Sequence, residues 1–71
     1  MKRRDLLRRV AKAADAKDVE WVFVRAGGEH DVYRLGKTIQ VSIPRHQEIN
    51  EITARKIMAA GENELGKGWW R

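Results

Sequence analysis

A chain of 71 residues with a formal net charge of +5 is one small domain, close to the lower size limit for a self-sufficient core. It has no cysteine and two histidines, which excludes disulfides and thiolate metal sites and leaves a single compact core to hold the fold. The excess of positive charge points to an acidic partner, whether nucleic acid, an acidic protein or a membrane surface.

Lys2-Arg3-Arg4 resembles the basic start of a signal peptide, but Leu6-Leu7 gives way at once to Arg8-Arg9, so export is not expected. No segment is long enough to span a bilayer. A cytoplasmic location is expected, and the lack of cysteine fits a reducing compartment. Residues 4–16 read as a helix. Leu6, Val10 and Ala14 recur at four-residue spacing, widened by Leu7, Ala11 and Ala13. Arg4, Arg8 and Lys12 share another face. Lys2, Arg3 and Arg4 sit at the positive end of the helix dipole, where cations do not stabilise the helix. They are either a solvated basic terminus or a phosphate contact.

From Val19 the pattern changes. Val19-Glu20-Trp21-Val22-Phe23-Val24 is β-branched and aromatic and is followed by Gly27-Gly28, so it reads as a strand. A second strand is expected at about His30 to Leu35, and Gly36-Lys37 marks the next turn. Thr38 to Ile43 alternates cleanly, with Ile39, Val41 and Ile43 facing a core. Pro44 ends that strand, because it has no N–H for the ladder. The short connections predict an antiparallel three-stranded meander.

Asn50 is a good N-cap for a second helix, with Glu51 in its first turn. Ile49 is placed to staple onto Ala54, and Ala54, Ile57 and Met58 form the apolar stripe. Gly61 is the expected stop. Residues 62–71 show no sustained periodicity and are expected to be a mobile tail. Removing them is then expected to cost no more than about 1 kcal/mol of a usual 5–15 kcal/mol. The pair Trp69-Trp70 in that tail is either a contact site or incidental. The division is thus a domain of residues 1–61 and a tail of residues 62–71. Two amphipathic helices must cover one face of the sheet, giving a two-layer α+β domain whose other sheet face is open.

Gly27-Gly28-Glu29-His30 is the most suggestive stretch for chemistry. Its glycines allow a sharp turn, and Gly28 leaves room for a ligand beside the imidazole. A histidine there can take or give a proton near neutral pH. Arg25, Arg34, Lys37 and Arg45 flank the predicted strand ends and are candidates to contact a phosphate. His46, after Pro44-Arg45, is either a second acid or base or a loop residue bonded to the start of the second helix. Glu29 and Asp31 flank His30, and adjacent residues on a strand point to opposite faces, so the three cannot converge on one ion without a bulge and no metal site and no cofactor are expected. Trp21, Phe23 and Tyr33 either stack bases on the open face or fill the core; core is expected for at least Phe23 or Trp21.

Trp21-Val22-Phe23-Val24-Arg25, Gly28-Glu29-His30, Val41-Ser42-Ile43-Pro44-Arg45-His46 and Thr53-Ala54-Arg55-Lys56-Ile57, in that order, resemble the HicA toxins of bacterial type II toxin–antitoxin systems. The resemblance covers about residues 3–60. It implies an α-β-β-β-α fold like a double-stranded-RNA-binding domain, which matches the order read from the residues. It further implies a small metal-independent ribonuclease that cleaves mRNA and is neutralised by a HicB-type antitoxin. His30 matches the family's catalytic histidine. Two departures from the family pattern stand out. Glu29 stands where a serine is usual, and Glu51-Ile52 stands where Pro-Gly is usual. A carboxylate at position 29 could orient the imidazole, favour its protonated form or repel an RNA phosphate. Two rival readings share the fold. One is a non-catalytic RNA-binding module, which differs at His30; the other is a protein-interaction domain, which would not bind RNA at low salt.

Overall fold

The computed structural model describes residues 1–37 and 39–71. The predicted start of the third strand at Thr38 lies outside the described residues. Helix α1 spans Arg3–Ala16, followed by strands β1 (Trp21–Gly27), β2 (His30–Leu35) and β3 (Ile39–Pro44). Helix α2 spans Glu51–Ala60, and a single further turn, α3, spans Glu62–Leu65. The sheet is antiparallel in the order β1-β2-β3. This is the expected α+β architecture, with one element more than expected.

Helix α1 buries Leu6, Val10 and Ala14, the stripe read from its four-residue spacing. It ends without glycine. Asp18 takes a left-handed φ of 57°, Val19 N–H donates to the Ala14 carbonyl at 2.8 Å, and Asp18 N–H to that of Asp15 at 3.1 Å. These two bonds are the crossed pair that closes a helix when the residue beyond its last turn turns left-handed, a conformation aspartate tolerates. They also use the Val19 amide, so the first strand starts at Trp21 rather than Val19.

On β3, Val41 and Ile43 are buried and Ile39 is half-buried. Register places Asp31, Tyr33 and Leu35 opposite Ile43, Val41 and Ile39, so these residues share the helix-covered face. Trp21 stacks on Tyr33, ring centroids 4.7 Å apart, and both pack against the core. Phe23 also lies on this face, edge-on to Tyr33, yet is 51% exposed because the helices do not reach this part of β1. Core was expected for at least one of Phe23 and Trp21, and Trp21 fills that place while Phe23 stays exposed. Val24 is passed over in the pairing between Phe23 and Arg25, a β-bulge that resets which residues face outward.

Helix α2 begins as expected. The Asn50 side chain accepts from Thr53 N–H at 2.8 Å, and Ala54, Ile57 and Met58 are buried. Gly61 ends the helix, but in a right-handed conformation, and α3 follows at once. Its glycine identity has a different cause. A Cβ there would come within 3.1 Å of Leu35 Cδ2 and 3.4 Å of Trp69 Nε1.

The expectation of an undocked tail is corrected. Leu65 is 2% exposed, and Glu64 lies against Gly36 in the β2–β3 turn. The Trp69 indole N–H donates to the Met58 carbonyl at 2.7 Å, and Trp70 packs beside it. No periodicity announced this, because the segment docks through isolated side chains instead of a repeating stripe. No helix among the described residues is long and apolar enough to cross a membrane.

Candidate functional site

The β1–β2 connection is a two-residue turn, Gly28-Glu29, between the paired residues Gly27 and His30. Gly28 alone in it has a positive φ, 61°, the pattern of a hairpin turn that needs glycine at its first central position. Nothing lies within 4 Å of a Cβ built on Gly28, so its glycine serves the turn and leaves open space beside His30.

His30 is exposed and sits opposite Gly27 on one side and Pro44 on the other. The two-residue period puts it with Val32 and Arg34 on the face away from the helices. Arg25 pairs with Val32 and shares that face. Its Nη1 lies 3.3 Å from where a Gly27 Cβ would stand, so the guanidinium reaches towards the cross-strand partner of His30. Ser42, opposite Val32, adds an exposed hydroxyl to this face. Among the described residues the imidazole makes no hydrogen bond, and the Glu29 carboxylate makes no ion pair. Glu29 enters through its backbone, whose carbonyl accepts from Arg45 N–H at 3.1 Å.

Asp31 points to the other face, as alternation predicts. Arg3 Nη2 donates to its Oδ2 at 2.8 Å and Arg45 Nε to its Oδ1 at 2.9 Å. Arg3 Nε also donates to the Pro44 carbonyl at 2.8 Å. One carboxylate, 16% exposed, thus joins the start of α1, the start of β2 and the end of β3 beneath His30. Arg45 keeps both terminal nitrogens without a partner among the described residues, and its side chain is 48% exposed. Charge-assisted bonds of this kind are worth about 1.5–3 kcal/mol when partly shielded. Asp31→Ala should therefore lower stability by roughly 2 kcal/mol, read as the shift of the urea midpoint at constant slope. An unchanged midpoint would show that the pair of bonds is only decorative.

The predicted phosphate contacts separate into two groups. His30, Gly28, Arg25 and Arg45 lie at one end of the sheet. Arg34 shares the face of His30 but stands four residues along β2, about 13 Å away at strand spacing. It pairs with Glu20 at 3.5 Å. Lys37 is exposed in the turn beyond it. His46 lies in the bend after β3, two residues past the partner of His30, and is exposed. Among the described residues no three His, Asp or Glu side chains converge as metal ligands. Sequence reading missed Arg3 as part of this site. Its contacts cross 28 and 41 positions of chain, and no local signal marks them.

A family model described as the HicA toxin of bacterial toxin–antitoxin matches residues 7–62 of the 71. No curated protein and no solved structure matches the chain.

Proposed function

Since the chain belongs to the HicA toxin family, we propose that it is the toxin of a bacterial type II toxin–antitoxin pair and cleaves mRNA with His30 as general base. The reading rests on His30 itself, exposed on the open sheet face, beside a glycine turn and within reach of Arg25. A neutral imidazole nitrogen takes the proton from a ribose 2′-hydroxyl. The oxygen attacks the adjacent phosphorus, the bond to the 5′ oxygen breaks, and that oxygen takes a proton from solvent. The products are a 2′,3′-cyclic phosphate and a free 5′-hydroxyl. Arg25 on the same face offsets charge growing on the phosphoryl oxygens, and Arg45 supplies a second guanidinium at the same sheet end. No step needs a metal or another cofactor. The partner is a HicB-type antitoxin, and the site of action is the cytoplasm, where mRNA is.

The test is cleavage of a defined mRNA with EDTA present. Cleavage should proceed and leave a cyclic phosphate. A substrate with a 2′-deoxy sugar at the scissile position should resist. Activity that requires an added divalent metal, or equal cleavage of the deoxy substrate, would rule this mechanism out. Binding without cleavage would leave a non-catalytic RNA-binding module.

A further inference from the structure

We propose that the groove between α1 and the paired tryptophans at positions 69 and 70 binds single-stranded RNA flanking the cleavage point. One base stacks on Trp70, and Arg9 and Lys12 take the adjoining phosphates. The proposal rests on reading the substrate as RNA and adds where that substrate is held. The groove encloses about 340 Å³ and is lined by Arg9, Lys12, Ala13, Ala16, Trp69 and Trp70. Arg9 and Lys12 are exposed and form no ion pair among the described residues, and no acidic side chain lines the groove. Two indoles beside unneutralised cations are the combination that holds single strands, since every base has a face to stack and every nucleotide a phosphate.

The tryptophans are built in rather than loose. The Trp69 N–H is fixed on the Met58 carbonyl, and Trp70 stands edge-on to Trp69 at 6.0 Å, their planes 78° apart. Arg71 sits over the Trp70 ring, 5.7 Å from its centroid, and adds a third cation. Trp69 is thus a positioning residue and Trp70 the stacking surface. Both lie beyond the segment matched by the family model.

Exposed cations run along α1 from this groove towards the end of the sheet where β2 begins, on the helix-covered side of Asp31 and opposite the face of His30. Arg4, Arg8 and Lys12 follow one another at four-residue spacing on α1 and are exposed. Arg4 also lines a second groove, of about 400 Å³, with Lys2, Arg3, Arg45, Gln47 and one carboxylate, Glu48. Arg3 and Arg45 are the two guanidiniums on Asp31, next to His30 in the chain. Arg4 to Lys12 is about 12 Å along a helix, a distance that a few nucleotides cover. Lys2 and Arg4 are exposed at the positive end of the helix dipole, where cations do not stabilise the helix and stay available to an anionic strand.

The test is binding of a 2′-O-methyl oligonucleotide of roughly twelve nucleotides, uncleavable by this route and within the usual span of such grooves. It should quench tryptophan fluorescence. Trp70→Ala should weaken its binding roughly tenfold, and Trp70→Phe should keep most of the affinity. Arg9→Glu with Lys12→Glu, at exposed positions, should weaken it without loss of fold. That pair decides the matter if Trp70→Ala unfolds by circular dichroism. Unchanged affinity in these variants, with cleavage intact, would overturn the groove alone. Wild-type binding without cleavage would overturn the catalytic reading alone. Absence of RNA binding at low salt would overturn both, and binding of polyglutamate in its place would assign the groove to an acidic protein.

Discussion

Replacing His30 with alanine should lower mRNA cleavage by roughly 10²–10⁴-fold, the usual contribution of a positioned general base. Growth inhibition on expression should be lost with it. The fold should survive. The imidazole is exposed and makes no hydrogen bond with a described residue, while the pairing of His30 with Gly27 and Pro44 is made by the backbone. Stability should therefore change by no more than about 0.5 kcal/mol. Antitoxin binding should also persist. Cleavage compared at equal folded protein, with circular dichroism as the control, checks the assignment. Wild-type rates in the variant would sink it.

The features that could be read from the sequence are the ones that short-range rules control. Asn50 caps α2 because its side chain needs only the amide three residues on. The alternation of Ile39, Val41 and Ile43 set the inner face of β3 without knowledge of its neighbours. The Gly27-Gly28 pair marked the turn and so the position of His30, while its face needed the register of β2 against β3. The bulge at Val24 was not readable. It depends on how β1 meets β2, and it brings Arg25 onto the face of His30. The stop at Asp18 was hidden for a different reason. Aspartate at a left-handed position carries no signal as strong as glycine would.

The support beneath the site was the least readable part. Arg3 looked like one of three terminal cations, yet it is the residue that ties α1 to Asp31 and Pro44. A charge count cannot tell a solvated arginine from one recruited by a carboxylate on a distant strand. Reading Asp31 as pointing to the face opposite His30 was right, and silent on what waited there. Glu29 takes part through its carbonyl, to which Arg45 N–H donates, so the departure from the family's serine leaves that backbone contact available.

Deleting residues 62–71 should unfold the domain or come close to it, the reverse of what their lack of periodicity suggests. Leu65 is 2% exposed and belongs to the core with Leu35, Ile57 and Met58. Losing a buried leucine side chain typically costs about 2–5 kcal/mol. The deletion also removes Trp69, bonded to Met58 and packed at Gly61, and uncovers the surface beneath it. A single core below about 70–80 residues rarely supplies more than about 3–5 kcal/mol, so the loss is comparable to the whole. Urea unfolding followed by far-UV circular dichroism should show no folded baseline for the truncated chain, or a midpoint near zero denaturant. Leu65→Ala alone should remain folded with a clearly lowered midpoint, which separates the core contact from the rest of the segment. A truncated chain with the full-length midpoint would mean that Leu65, Trp69 and Trp70 rest on a domain that does not depend on them.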